Sequence, residues 1–352
     1  MRKRAGVLAI VSGLVSATAG LVAPSVAHAN VSCGQTITTN TVLTGDVGPC
    51  ANGGIIVGAD NITLDLNGYR VFGTAPAADG VGIYLENRRG VTVKNGWVTD
   101  FDGGVVIRYG RGNTVTGIKA YDNLGSSLGH PPATGTSFGD GIAIQASTHN
   151  SIVGNEAVNN GPFSGIGIYQ QTDSDHPGFV TGPAGYNLVD RNIVRDNNAC
   201  RASGFCDNDG IRVEPNVARG NVISNNVVTG SGLDGISLFG GVRGTLVIRN
   251  IASDNGVTND LGDGIRVFGP SNIIQYNQTD GNASGGVSVA RRTGFGGGSF
   301  PPANPNGRGN VMFGNTASGN GIFDLWDSNP NCVTSLWRGN SGTLVSPPCT
   351  LN

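Results

Sequence analysis

One pattern recurs along almost the whole chain. A polar turn, a glycine and an alternating apolar run read DGVGIYLEN from Asp79, DGGVVIRYG from Asp102, DGIAIQAS from Asp140, SGIGIYQQ from Ser164 and DGIRVEP from Asp209. The same pattern continues as DGISLFG from Asp234, DGIRVFG from Asp263 and GGVSVARR from Gly285. Between the copies lies a second submotif, an apolar alternation closing on asparagine, as in NLVDRNIVRDNN from Asn187 and NVISNNVVTGSG from Asn221. Tight steps span 22 to 25 residues (Asp263 to Gly285, Asp79 to Asp102, Asp140 to Ser164, Asp209 to Asp234). Two or three short strands repeated at that length, without helical periodicity, describe one coil of a parallel β-solenoid.

Local chemistry agrees with the repeat. Val, Ile and Thr at period two favour strands, and the 59 glycines, with Asn and Asp, take the corners where φ is positive. Asn155, Asn192, Asn226, Asn250, Asn277 and Asn315 recur in register, which predicts an internal asparagine ladder at one bend. A G-X-Y period is absent, which excludes a collagen-like chain.

Residues 1–29 have the form of a secretory signal peptide: Arg2, Lys3 and Arg4, an apolar run, then the small-x-small site Ala27-His28-Ala29. No later stretch reaches the roughly 20 apolar residues that a membrane helix needs, and the net charge of -2 gives no basic field for nucleic acid. The expectation is a secreted monomer. All six cysteines lie after this leader, and an even count in an exported chain argues for disulfides. Proximity suggests Cys33/Cys50, Cys200/Cys206 and Cys332/Cys349, with the other connectivities left open.

Over residues 57–327 the repeats resemble those of secreted bacterial proteins of the pectin-lyase-like superfamily. The cysteine-bracketed ends, CGQTITTNTVLTGDVGPC and CVTSLWRGNSGTLVSPPC, look like first and last coils of such proteins. The resemblance implies an all-β fold, a single right-handed parallel β-helix of about ten coils over residues 30–352. Residues 30–56 would form an N-terminal cap coil and residues 328–352 a disulfide-closed C-terminal cap. The superfamily hosts lyases, hydrolases, epimerases and proteins without known activity, so the site must be argued separately.

Longer steps between copies place insertions at residues 124–139, 171–186, 199–208 and 291–309, at the two ends of the DG strands, as walls of a groove. On the strands between them, period two sends Ile211, Val213, Ile236, Leu238, Ile265 and Val267 inward. Arg212, Ser237 and Arg266 then form one outward column, and Glu214, Phe239 and Phe268 the next, joined earlier by Gln145 and Tyr169. Exposed rings beside arginines suit a sugar polymer, because rings stack on pyranose faces and arginine pairs with a uronate carboxylate. Arg291 and His176, in the flanking insertions, join the candidate substrate contacts.

Asp209, Asp234 and Asp263 would stack at the head of this face, neighbours roughly 5 Å apart. Such spacing suits glycosidase carboxylates or Ca²⁺ ligands, and like charges so close raise a pKa. Pectate-lyase-like enzymes use acidic residues with Ca²⁺ and an arginine or lysine base, roles that the three aspartates with Arg212 or Arg266 resemble. Polygalacturonase-like hydrolases place aspartates as Asp207, Asp209 and Asp234 are placed, but their Gly-His-Gly and Arg-x-Lys are missing here. The first reading is therefore an enzyme cleaving an acidic polysaccharide by Ca²⁺-assisted β-elimination. Inverting hydrolysis by the stacked aspartates, and a non-catalytic carbohydrate-binding β-helix, are the alternatives.

Overall fold

The structure, a computed structural model, describes residues 26–74, 78–125, 139–169, 182–200, 208–214, 218–258, 261–289, 308–329 and 332–351. The repeat folds as its period demands. Each DG copy supplies one rung of a twelve-stranded parallel sheet, which includes Phe101–Arg108, Ile142–Gln145, Ser164–Tyr169, Asp209–Val213, Ile236–Leu238, Ile265–Val267 and Gly285–Val289. Each asparagine submotif supplies two short strands on either side of a bend, such as Leu188–Asp190 and Ile193–Arg195, and these build a second, twenty-stranded parallel assembly. The result is the right-handed parallel β-helix expected from the repeats. Twelve rungs exceed the ten expected because Thr36–Ile37 and Val345–Ser346, at the two ends, are too short and too irregular to show as repeats.

The core lies between the two sheets. Ile211, Val213, Ile236, Leu238, Ile265 and Val267 are all fully buried, as period two predicts. On the asparagine assembly, many strands keep one face outward: Ile193–Arg195 reads exposed, buried, exposed. On the DG sheet it does not, and both faces are buried along Ile142–Gln145, Ser164–Tyr169 and Asp209–Val213. This covered outer face is what sets the site apart from the rest of the surface.

Three asparagine ladders hold the bends. In the predicted one, the Asn155 side-chain amide donates to Asn192 Oδ1 at 3.0 Å, Asn192 to Asn226 at 2.9 Å, and so on to Asn315 and Asn340. Backbone N–H groups share the same acceptors, so each asparagine satisfies polar groups that a tight buried bend would otherwise strand. A second ladder runs through Asn113, Asn150, Asn187 and Asn221. A third includes Asn255, Asn282 and Asn320 and finishes when Asn320 donates to Asp324 Oδ1 at 2.9 Å.

Cys33–Cys50 and Cys332–Cys349 are disulfide-bonded, as proximity suggested. Cys206 lies outside the described residues, so its pairing with Cys200 does too. Val26–Ala29 runs parallel to Asn40–Leu43, and the rest of the expected leader lies outside the described residues. No helix among the described residues is long and apolar enough to cross a membrane.

Candidate functional site

The stack begins as hydrogen-bond chemistry. Asp209 Oδ1 accepts the backbone N–H of Asp234 at 3.1 Å, Asp234 Oδ1 accepts that of Asp263 at 2.8 Å, and Asp263 Oδ1 accepts that of Gly285 at 2.7 Å. Each aspartate thus caps the start of the next rung, which is why an acid recurs there. The column extends upward through Ser164, which pairs in register with Asp209, to Asp140.

The outward arginines close over the stack. Arg212 Nε lies 2.6 Å from Glu214 Oε1, and its Nη1 lies 3.4 Å from Asp209 Oδ2. Its guanidinium stands 4.4 Å from the Phe239 ring centroid and 5.5 Å from that of Phe163, a cation–π sandwich in a site from which water is excluded. Arg266 spans two coils, with Nε 2.6 Å from Asp263 Oδ2 and Nη2 3.3 Å from Asp234 Oδ1. Arg266 also donates to the Leu261 carbonyl, and Ser288 donates its hydroxyl to Asp263. Ser237 sits in register between the two arginines, and its small side chain leaves room for both guanidiniums.

Burial alone would push the Arg266 pKa down, but the carboxylates of Asp234 and Asp263 outweigh it and drive the pKa up. A guanidinium held charged in this way clamps anions and does not abstract protons. Likewise, the aspartates direct their oxygens to backbone N–H groups and guanidiniums. Among the described residues, no three His, Cys, Asp or Glu side chains are arranged to hold a metal ion. Ca²⁺ takes about six to eight oxygen ligands, and this donor set does not suit it.

Asp140 behaves differently. Its Oδ1 accepts from Ser164 Oγ at 2.5 Å and from Tyr169 Oη at 2.7 Å, but it makes no ion pair among the described residues. Burial pushes its pKa up to about 6, against the pull of those two hydrogen bonds and of the Arg212 charge. Tyr169 is raised well above the usual phenol, first by burial and then by the Asp140 charge. The Tyr169 ring lies across Gly167, where an added Cβ would meet it at 2.2 Å. Glycine at that position is what lets the ring turn inward.

The register of the two predicted columns is found, but its surface is not what period two implied. Arg212, Ser237 and Arg266 align, and Gln145 and Tyr169 are paired neighbours. Tyr169 and Phe239, expected as exposed sugar platforms, are buried at 3% and 5% exposure. Only Phe268, Glu214 and Arg266 keep part of their surface, with 20% of the Glu214 and 12% of the Arg266 side chain exposed. His176 and Arg291 lie outside the described residues. Sequence reasoning missed Asp140, Ser164 and Phe163, although the DG copy at Asp140 is in register with the stack and could have signalled the first.

Residues 26–250 match a protein-family model described as a right handed beta helix region. Among solved structures, the chain is similar to an alginate lyase from Paenibacillus sp., at 15% identity and a TM-score of 0.50, covering 86% of this chain and 88% of that one. It is also similar to the periplasmic alginate epimerase AlgG, at 15% identity and a TM-score of 0.58 over 92% of this chain and 79% of that one. The A-module of the mannuronan C-5 epimerase AlgE6 from Azotobacter vinelandii matches at 16% identity and a TM-score of 0.50, covering 92% and 90%. At these identities the likeness is one of fold. No curated relative matches the sequence.

Proposed function

The chain belongs to the right-handed beta helix family, and from that premise we propose that it is an extracytoplasmic protein that binds a uronate-containing polysaccharide along the outer face of its DG sheet. One observation carries this reading: Glu214, Arg266 and Phe268, members of a buried, ion-paired network, keep part of their surface exposed. A rigid carboxylate, a rigid guanidinium and a ring meet the hydroxyls and the apolar face of a sugar with little loss of side-chain entropy. The two disulfides favour an oxidising compartment. The fold shared with an alginate lyase and a mannuronan C-5 epimerase supports a uronate polymer as ligand.

Recognition fits this geometry better than β-elimination. The arginine that would serve as base is held charged, and the aspartates that would hold Ca²⁺ are engaged with arginines and backbone. The expected result with a uronate-polysaccharide panel is saturable binding, without unsaturated product by ultraviolet absorbance and without change on adding EDTA. Glu214→Ala with Phe268→Ala should weaken that binding about tenfold or more. Unsaturated product that disappears with EDTA would overturn the reading in favour of a Ca²⁺-assisted lyase.

A further inference from the structure

The bend that follows the DG sheet carries a second set of residues, at two adjoining positions over six consecutive coils. Arg89 pairs with Arg111 and Arg111 with Thr148, while Arg219 pairs with Arg243 further along. Backbone bonds from His149 to Gly185 and from Tyr186 to Arg219 place Thr148 and Gly185 in register between the two halves, with His149 and Tyr186 one position further along the bend. Arg89, Arg111, His149, Tyr186, Arg219 and Arg243 are all exposed. Neighbouring coils lie about 4.8 Å apart, so the column is a stripe of about 24 Å parallel to the solenoid axis.

These arginines differ from the others on the surface. Arg70, Arg88, Arg191 and Arg195 each face an aspartate within 4 Å. The guanidiniums of Arg89, Arg111, Arg219 and Arg243 form no ion pair among the described residues, although the Arg89 backbone N–H donates to Asp60 Oδ1 at 3.0 Å. Asp60, the acid at the start of the stripe, lies 3.6 Å from Arg88. Between the two arginine pairs, the His149 and Tyr186 rings stack at 5.2 Å, tilted by 28°. Both residues adopt positive φ, 59° and 57°, where the flanking coils use Gly112 and Gly220. A histidine and a tyrosine there carry backbone strain that glycine avoids. The Tyr186 ring lies over Gly220, whose missing Cβ would meet it at 2.8 Å. At the far end, Gly182, Pro183, Arg219 and Arg243 line a surface cavity of about 330 Å³.

We infer that this stripe is a carboxylate-reading subsite for the same polysaccharide, bound parallel to the solenoid axis. The Tyr186–His149 pair takes a sugar ring, and each arginine pair takes a uronate carboxylate. The inference rests on the proposed function for the identity of its ligand. It also answers an electrostatic need of that function. Around Arg212 and Arg266 on the DG-sheet face, five carboxyl groups (Asp140, Asp209, Glu214, Asp234, Asp263) accompany those two guanidiniums, so that part of the face suits hydroxyls better than further anions.

Binding of alginate, polygalacturonate and neutral dextran would be measured by calorimetry at two salt concentrations. The proteins compared would be the wild type, Arg219→Ala/Arg243→Ala, Tyr186→Ala and Glu214→Ala/Phe268→Ala, each first checked for folding by circular dichroism. The arginine double variant should lose about tenfold or more in affinity for both polyuronates and show a weaker salt dependence, with Tyr186→Ala losing affinity at unchanged salt dependence. Unchanged affinity in both stripe variants, alongside weakened binding in the DG-sheet variant, would overturn the stripe and leave the proposed function standing. Loss confined to the stripe variants would overturn the DG-sheet face and keep the stripe. Equal binding of dextran, or no binding of either polyuronate by the wild type, would overturn both.

Discussion

Asp140 shows how one carboxyl group can be singled out from a stack of similar ones. Asp209, Asp234 and Asp263 each face an arginine, and Asp140 does not, so burial decides its titration. The folded chain then binds its proton more tightly than the unfolded chain does. The stability this confers is fully present below pH 4 and is lost as pH rises through about 6, leaving a cost near 3 kcal/mol at pH 7. Asp140→Asn keeps an acceptor for Ser164 and Tyr169 and removes that cost. Urea unfolding should therefore find the variant more stable than wild type at pH 7.5, by about 2–3 kcal/mol, and not at pH 4. Arg212 presents the opposite case, because Arg212→Met would leave Asp209 and Glu214 without their shared cation. A loss of about 3–5 kcal/mol in the same assay is expected. The stack itself was legible in the sequence, since Asp-Gly recurs in register. The partner of each carboxylate was not, because that depends on which way a side chain turns once a neighbour such as Gly167 leaves it room.

At the scale of strands and bends, sequence and structure agree most closely on the asparagines. The ladder through Asn155 and Asn315 was readable because the position recurs at every coil and because a tight bend strands backbone groups that an amide can satisfy. Asn226 serves its neighbours on both sides, accepting from Asn192 and donating to Asn250 and to the Val189 carbonyl. Asn226→Ala should therefore cost about 1–3 kcal/mol, with hydrogen exchange accelerating first at the Asn192 amide, which loses its acceptor. Less legible was the outer face of the DG sheet. Period two assigns a side chain to the outside of a sheet, but it does not say whether the outside is wet, and Tyr169 and Phe239 turned out to be buried there.

For the molecule as a whole, the fold could be read from the repeat period, and the terminal coils could be read only from their cysteines. The Cys33–Cys50 and Cys332–Cys349 bonds each close a segment with a sequence separation of 17 at an end of the solenoid. Replacing Cys332 and Cys349 with serine should lower stability by about 3 kcal/mol. Limited proteolysis of that variant should begin in the last coil and leave the middle coils intact, because a solenoid coil depends mainly on its immediate neighbours.

A stack of like coils with open ends is, in principle, a template for its own extension, as any sheet with an unpaired edge is. The third asparagine ladder shows how one end declines the invitation. Each amide in it receives from the coil before and gives to the coil after, so the series has a direction and could pass from molecule to molecule. It meets Asp324, a carboxylate that can only receive, and whose other oxygen already holds the Thr343 and Leu344 amides and the Thr343 hydroxyl. Those hydrogen bonds outweigh partial burial and keep the Asp324 pKa below the usual value. Acceptor-only chemistry at the end of the ladder, one rung before the last, leaves the series with no amide to offer another copy, and so helps keep a pattern that could otherwise propagate from extending as a fibre.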